Sequence, residues 1–181
     1  GVLRDKRIEK KTAQDYADVF SPKVFGLQNL LEVVPPAQLR FLALFSSIVG
    51  FFGNVGQTDY AMANEVLNKT AYQVKRENPQ CRVIAIDWGP WDSGMAAASP
   101  ELQKMFAEQH VMVIPGDAGT ELMTRAITAP AEGNSQPVQI LVGGLPHRPP
   151  AKLEGDLQRF AISRHLSLDA NPFLNDHRIG A

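Results

Sequence analysis

Three side chains of the sequence have the types and spacing for acid–base chemistry. The segment SSIVGFFGNVGQTDYAMAN places Ser47 at the end of an apolar run, Tyr60 after a glycine-punctuated turn, and Asn64 four residues after the tyrosine. Residues four apart share one face of a helix, so Tyr60 and Asn64 point the same way. A phenol has a reference pKa of about 10 and is a poor acid or base at neutral pH unless a positive charge favours its phenolate. The pattern therefore predicts a tyrosine acid that needs a cation, which Asn64 cannot supply.

Alternating helix and strand patterns surround these residues. Apolar side chains recur at helical spacing in residues 12–34, and Thr12 with Asp15 has the spacing of a capping box. Pro22 interrupts this pattern and either kinks one long helix or opens a second helical piece. Strands are predicted at 39–47, 81–89 and 137–144, and further helices at 60–77 and 116–129. Unbroken apolar strands that alternate with helices predict a parallel α/β sheet with helices on both faces and right-handed crossovers.

Composition limits the class of protein. The 181 residues are 44% hydrophobic and 20% charged, with a formal net charge of -1, so there is no electrostatic argument for a nucleic-acid partner or an acidic membrane. Cys81 is the single cysteine, which excludes an internal disulfide framework and suggests a reducing compartment. No apolar run reaches the length of a membrane span, and the first residues are charged throughout. The expectation is a cytoplasmic protein.

Two segments depart from the simple alternation. Residues 90–116 are too long for an ordinary connection, and they follow the carboxyl end of a strand, where ligands bind in such sheets. Residues 145–156 are rich in proline and charge, which is typical of a linker, and residues 157–181 begin a further unit. Gly50, Gly53 and Gly56 precede the tyrosine helix, so we interpret them as turn residues rather than as a phosphate loop.

The sequence resembles the ketoreductase domains of polyketide synthases, which are short-chain dehydrogenases. The segments SPKVFGLQNLL, FSSIVGFFGNVGQTDYAMAN and WGPWDSGM carry the resemblance. Most short-chain dehydrogenases have a lysine four residues after the tyrosine, whereas in these ketoreductases an asparagine stands there and the lysine comes from the preceding helix. Lys23 matches that position. The resemblance implies that Ser47 donates to the substrate carbonyl, Tyr60 donates the proton, Lys23 favours its phenolate, and Asn64 belongs to a proton relay.

The same resemblance implies a reaction and its ligands. The reaction is hydride transfer from NADPH to a β-ketoacyl thioester held on an acyl carrier protein, which would be a partner. The implied cofactor-binding residues are Lys23, Tyr60, Gly89 and Pro90, and the implied substrate-binding residues are Trp91 and Met95 in a lid, with Asp5. For Trp88 and Trp91, packing in the core and lid is an equal alternative.

Asp5 also bears on stereochemistry. In the resembled family an aspartate at this point accompanies one stereochemical class, although Arg4 departs from the usual pair of aspartates. No tryptophan stands between Ser47 and Tyr60, where the opposite class usually has one. The expected product is the D-type, or 3R, alcohol.

The first residues suggest that a complete domain extends further upstream. The segment GVLRDK resembles the end of the fourth strand of a Rossmann-type sheet, and no G-x-G-x-x-G motif occurs in the chain. We therefore expect residues 1–144 to be the C-terminal portion of a Rossmann-type short-chain dehydrogenase fold. Such a portion alone would bind NADPH poorly.

The final segment carries a second resemblance. NPFLNDHRIGA is similar to the opening of a hot-dog-fold dehydratase domain, an α+β fold, in which His177 matches the catalytic histidine and Ala181 replaces a frequent glycine. The order of ketoreductase, linker and dehydratase-like start resembles bacterial synthases of polyunsaturated fatty acids. This resemblance implies neighbouring synthase domains as partners and a homodimer at the level of the full synthase.

Two other function classes remain open. A free-standing short-chain dehydrogenase acting on a small carbonyl compound is disfavoured by the linker and the final segment. A non-catalytic synthase segment is disfavoured by the four matching residues. His110, His147 and His165 have no partners at ligand spacing, so no metal site is predicted.

Overall fold

The computed structural model describes residues 2–93, 100–108, 111–128 and 137–143. Its helices are α1 Ala13–Val33, α2 Ile48–Phe52, α3 Thr58–Glu77, α4 Pro100–Glu108 and α5 Gly116–Thr128, and its strands are β1 Phe41–Ser47, β2 Arg82–Trp88 and β3 Gln139–Val142. Short 3-10 helices cover Ile8–Lys10 and Pro36–Gln38. Each helix in these ranges is too short or too polar to pass through a lipid bilayer.

The start of α1 has the predicted capping box. The Thr12 hydroxyl accepts a hydrogen bond from the Asp15 backbone N–H at 3.1 Å, and the Asp15 carboxylate accepts one from the Thr12 backbone N–H at 2.9 Å. The two bonds satisfy two of the backbone donors that a helix start leaves free. Pro22 lies inside this helix, so the alternative of a second helical piece is wrong. One continuous helix carries residues 13–33.

The described strands form a three-stranded parallel sheet in the order β1-β2-β3. The register places Ser47 beside Trp88 at the carboxyl ends of β1 and β2. Parallel strands end at the same edge of a sheet, which is where α/β proteins bind ligands. The end of β1 at Ser47 and the segment that follows Trp88 in β2 therefore lie at the same edge of the sheet.

Apolar side chains cover both faces of this sheet. On one face Val83 and Ala85 pack with residues of α1, β1 and α3, namely Leu27, Leu44, Leu67, Ala71 and Val74. On the other face Ile84 and Ile86 pack with Trp88, Ile114 and residues of α5. A strand that is covered on both faces needs an unbroken apolar sequence, which explains the pattern of β2. The predicted parallel sheet with helices on both faces is confirmed.

The segment between β1 and α3 differs from its prediction. Gly53 and Gly56 have positive φ angles of 72° and 83°, as turn glycines do, but Gly50 lies within the short helix α2. A Cβ atom at residue 50 would lie 2.9 Å from Asn64 Cβ. Gly50 is required because α2 and α3 approach closely there, not because the chain turns.

Several predictions concern residues outside the described ranges. These are the lid residue Met95, the linker at 145–156, and the dehydratase-like start at 157–181 with His177.

Candidate active site

Tyr60 lies in the first turn of α3 and is half-buried. The residue before the helix, Gln57, makes no side-chain capping bond. Asp59 is instead fully buried, and its Oδ1 atom accepts a hydrogen bond from the Tyr60 backbone N–H at 2.9 Å. The tyrosine therefore projects from a helix start at which the neighbouring aspartate accepts one of the backbone N–H donors.

Lys23, from the middle of α1, reaches the tyrosine. Its Nζ atom lies 5.6 Å from the centroid of the Tyr60 ring and donates a hydrogen bond to the backbone oxygen of Phe45 at 3.0 Å. A cation within about 6 Å of a ring centroid is attracted to the aromatic face. Burial lowers the pKa of Lys23 below its ordinary value. The structure thus places a cation beside Tyr60, although the two residues are far apart in sequence.

Asn64 is fully buried one helical turn after the tyrosine. Its Nδ2 atom donates to the Tyr60 backbone oxygen at 2.7 Å, whereas its Oδ1 atom has no hydrogen-bond partner among the described residues. A buried amide oxygen without a partner is uncommon and is often satisfied by an ordered water or a ligand. Asn64 therefore offers a free acceptor close to the tyrosine.

Ser47 ends β1 and forms the N-cap of α2. Its hydroxyl oxygen accepts a hydrogen bond from the Val49 backbone N–H at 3.2 Å, so the hydroxyl hydrogen can be donated elsewhere. The adjacent Ser46 donates its hydroxyl to the Asn64 backbone oxygen at 3.1 Å. This bond joins the end of β1, where Ser47 lies, to the helix that carries Tyr60.

Gly89 and Pro90, predicted to contact a cofactor, follow β2 directly. Gly89 donates its N–H to the Val142 backbone oxygen at 2.7 Å, and a Cβ atom at residue 89 would lie 3.1 Å from that oxygen. Pro90 accepts a hydrogen bond from the Ile114 N–H at 2.8 Å. Both residues are thus held by backbone contacts at the carboxyl edge of the sheet.

Trp91 is half-buried, and its contacts agree with the packing alternative. Its ring lies 4.7 Å from the Trp88 ring, measured between centroids, and lies directly over the backbone of Gly119 in α5. A side chain at residue 119 would occupy the space of the indole ring. The structure places Trp91 between β2 and α5 in the described part of the chain.

Asp5 lies next to the turn that precedes Tyr60. Its carboxylate accepts a hydrogen bond from the Gln57 side-chain amide at 2.7 Å, and the Lys6 N–H donates to the Gly56 backbone oxygen at 3.0 Å. Two hydrogen bonds therefore attach the segment around Asp5 to the turn that precedes α3, and Asp5 is held against that turn.

One charged pair at this site was not predicted from the sequence. Lys11 Nζ lies 2.7 Å from Asp59 Oδ2, and the two side chains are 7% and 0% exposed. The partners are 48 residues apart, so no helical or strand spacing connects them. The position of Asp59 directly before Tyr60 was the one available signal. The described residues contain no group of histidine, cysteine and acidic side chains suited to a metal ion.

The chain is similar to known proteins in sequence and in fold. Residues 1–93 match the family described as the KR domain. The chain is 44% identical, over 99% of its length, to one of the subunits of the polyunsaturated fatty acid synthase from Thraustochytrium, of which it covers 6%. Among solved structures, it is similar to a ketoreductase from the first module of phoslactomycin biosynthesis in Streptomyces sp. HK803 (TM-score 0.68, 27% identity) and to a ketoreductase domain from the bacillaene assembly line (TM-score 0.65, 28% identity).

Each of these similarities covers only part of the solved structure. The two similarities cover 79% of this chain but only 31% and 34% of the respective structures. The chain therefore spans about a third of those ketoreductases and a small part of the synthase polypeptide.

Proposed function

Because the chain belongs to the KR domain family, we propose that it contributes the proton-donating half of a β-ketoacyl reductase within a multienzyme synthase. The proposed reaction reduces a β-ketoacyl group on an acyl carrier protein to the β-hydroxyacyl thioester. One observation carries this proposal: the Lys23 ammonium lies 5.6 Å from the Tyr60 ring and is hydrogen-bonded to the backbone of β1. A tyrosine acid needs such a cation, and α1 supplies it.

Tyr60 is the proposed general acid. As the substrate carbonyl is reduced, its oxygen becomes an alkoxide, and the phenol transfers its proton to that oxygen. Ser47 is the proposed hydrogen-bond donor to the same oxygen, because its hydroxyl oxygen accepts from the Val49 N–H while its hydrogen remains available to donate among the described residues. Together they stabilise the negative charge that develops there.

Lys23 and Asn64 are the proposed route by which the tyrosine recovers its proton. The lowered pKa of Lys23 makes its ammonium a stronger acid than that of an exposed lysine. Asn64 Oδ1 has no partner among the described residues and can accept a hydrogen bond from a water molecule. These features suit a relay that leads from solvent to Tyr60.

The residues at the sheet edge fit a nicotinamide cofactor. Lys23 Nζ has three donors and meets one acceptor, Phe45 O, among the described residues, so it can also bind sugar hydroxyls. The Gly89–Pro90 backbone directly follows β2 at the carboxyl edge of the sheet and is held there by hydrogen bonds to Val142 and Ile114. NADPH would supply the hydride when bound. Lys23, Tyr60, Gly89 and Pro90 are the residues proposed to hold its nicotinamide end.

Substrate orientation is proposed to involve the segment before the tyrosine helix. Asp5 accepts a hydrogen bond from Gln57, three residues before Tyr60, and is proposed to help orient the substrate there. Trp91 and Met95 are proposed to flank the acyl chain. The proposed product is the 3R alcohol, because an aspartate at this sequence position accompanies that stereochemical class in the resembled family.

The wider context is also a proposal. The similarity to part of a polyunsaturated fatty acid synthase supports neighbouring synthase domains and a carrier-bound substrate. A homodimeric full synthase in the cytoplasm and a dehydratase-like domain that contains His177 belong to the same proposal.

The experiment uses the intact synthase with a β-ketoacyl carrier-protein thioester and NADPH. We expect a β-hydroxyacyl thioester by mass spectrometry, the 3R form by chiral chromatography, and no product without NADPH. Reduction of small ketones with no reduction of the thioester would overturn the proposed substrate class. A 3S product would overturn the stereochemical assignment alone.

A further inference from the structure

We propose that Lys11 and Asp59 form a buried ion pair that positions Tyr60 for proton donation. This inference rests on the proposed function and adds two positioning residues to it. The Nζ–Oδ2 distance is 2.7 Å, and neither side chain is more than 7% exposed.

Asp59 connects the ion pair directly to the tyrosine. Its two carboxylate oxygens have different partners: Oδ1 accepts from the Tyr60 N–H at 2.9 Å, and Oδ2 accepts from Lys11 Nζ. The carboxylate therefore joins the lysine to the backbone of the reacting residue. A displacement of Asp59 would be transmitted to Tyr60 through one hydrogen bond.

Lys11 is itself held at both ends. Its ammonium also donates to the Arg4 backbone oxygen at 2.8 Å, and its backbone directly precedes Thr12, the N-cap of α1. The Thr12–Asp15 capping box fixes the backbone at this point. The lysine thus joins three segments: the chain around Arg4, the start of α1 and the start of α3.

The start of α3 needs this contact. A helix start has free backbone donors, and Gln57 does not cap them with its side chain. A carboxylate in the first turn is favourable because the helix dipole is positive there. A fully buried carboxylate is costly unless a cation compensates it, however, and Lys11 is the cation that contacts Asp59.

The pair also sets the relation between the two helices that carry the proposed relay. Lys11 lies at the start of α1, which presents Lys23, and Asp59 lies at the start of α3, which presents Tyr60. A buried ion pair often stabilises a protein no more than apolar residues of the same size. Its directional bonds, in contrast, fix the position of both helix starts, which is the contribution we assign to it.

The test compares variants of the intact synthase acting on a soluble β-ketoacyl thioester. Lys11→Met removes the cation, Lys11→Arg keeps it, and the double variant Lys11→Met with Asp59→Asn removes both charges without leaving an unpaired one. Lys10→Met is the matched control, because Lys10 is the adjacent lysine and is exposed. The readouts are kcat, KM for the thioester, and hydrogen–deuterium exchange of residues 57–64.

The pair is expected to affect the chemical step. Misplacement of a reacting group by about 1 Å can cost about 100-fold in rate, so Lys11→Met is expected to lower kcat by roughly 10- to 100-fold. KM should remain near the wild-type value, Lys11→Arg should recover much of kcat, and the double variant should stay slow. Exchange of residues 57–64 should be faster in Lys11→Met than in Lys10→Met.

Other results would overturn the inference. A kcat for Lys11→Met equal to that of Lys10→Met would do so, as would a fully active double variant, which remains informative if Lys11→Met fails to fold. Unchanged exchange would show that the pair does not hold the helix start. If the wild-type synthase does not reduce the thioester at all, the proposed function fails, and the exchange measurement still tests the pair.

Discussion

Replacing Gly50 by alanine should separate the two elements that carry Ser47 and Tyr60. A Cβ atom at residue 50 would lie 2.9 Å from Asn64 Cβ, 3.1 Å from Glu65 N and 3.2 Å from Asn64 C. Carbon atoms pack at about 3.5–4.0 Å, so α2 and α3 would have to move apart by roughly 0.6 Å or more. None of the three contacts involves the end of a flexible side chain that could turn away.

The expected cost follows from these contacts. Overpacking costs about 1–3 kcal/mol, and the helix preference of alanine over glycine returns about 0.5–1 kcal/mol. We therefore expect Gly50→Ala to lower the free energy of unfolding by about 1 kcal/mol, within a range of roughly 0–2.5 kcal/mol. A displacement of roughly 0.6 Å between the elements that carry Ser47 and Tyr60 should slow ketoreduction by about 10-fold.

Gly26→Ala is the matched control. Gly26 lies inside α1, and among the described residues no atom other than the adjacent backbone of its own helix lies within 4 Å of an added Cβ. It should raise the free energy of unfolding by about 0.5–1 kcal/mol and leave the reduction rate unchanged. Denaturant unfolding and thioester reduction would measure both effects. A Gly50→Ala variant as stable and as active as Gly26→Ala would refute the close approach of α2 and α3.

Three further predictions concern charge and packing. Lys6 and the Thr12 capping box hold the pKa of Asp15 well below its ordinary value of 3.8. Asp15→Asn should therefore lower the unfolding midpoint at pH 7, and the difference in stability from the wild type should shrink as the pH falls below 3.8. Burial lowers the pKa of Lys23, so the wild type should gain stability relative to Lys23→Met as the pH rises toward 10.5. A difference in unfolding free energy that does not change with pH would contradict this prediction. Gly119→Ala should displace the Trp91 ring and change the tryptophan fluorescence, whereas an unchanged spectrum would show that the ring does not lie there.

Local signals in the sequence predicted much of the fold. The Thr12–Asp15 capping box and the apolar run of β2 are recognised within a few residues, because each depends on backbone donors or on burial of one strand. The short helix α2 is not predicted, because its glycine has the local appearance of a turn signal. Gly50 is instead required by contact with Asn64, a tertiary constraint that local spacing does not record.

The residues of the candidate site also differ in whether local spacing in the sequence predicts them. Tyr60 and Asn64 could be paired by helical spacing, and the structure places both on α3. The approach of Lys23 depends on how α1 packs beside α3, so only a family resemblance pointed to it. The Lys11–Asp59 pair has neither a local pattern nor such a resemblance, since its partners are 48 residues apart.

Tyr60 is proposed to donate the proton in reduction of a β-ketoacyl thioester. The most direct measurement is the single-turnover reduction rate of the intact synthase with Tyr60→Phe, compared with Tyr72→Phe, an exposed tyrosine on the same helix. General acid catalysis contributes about 100- to 10,000-fold, so Tyr60→Phe should lose at least about 100-fold, whereas Tyr72→Phe should keep the wild-type rate. A Tyr60→Phe synthase that reduces the thioester at the wild-type rate would contradict the claim.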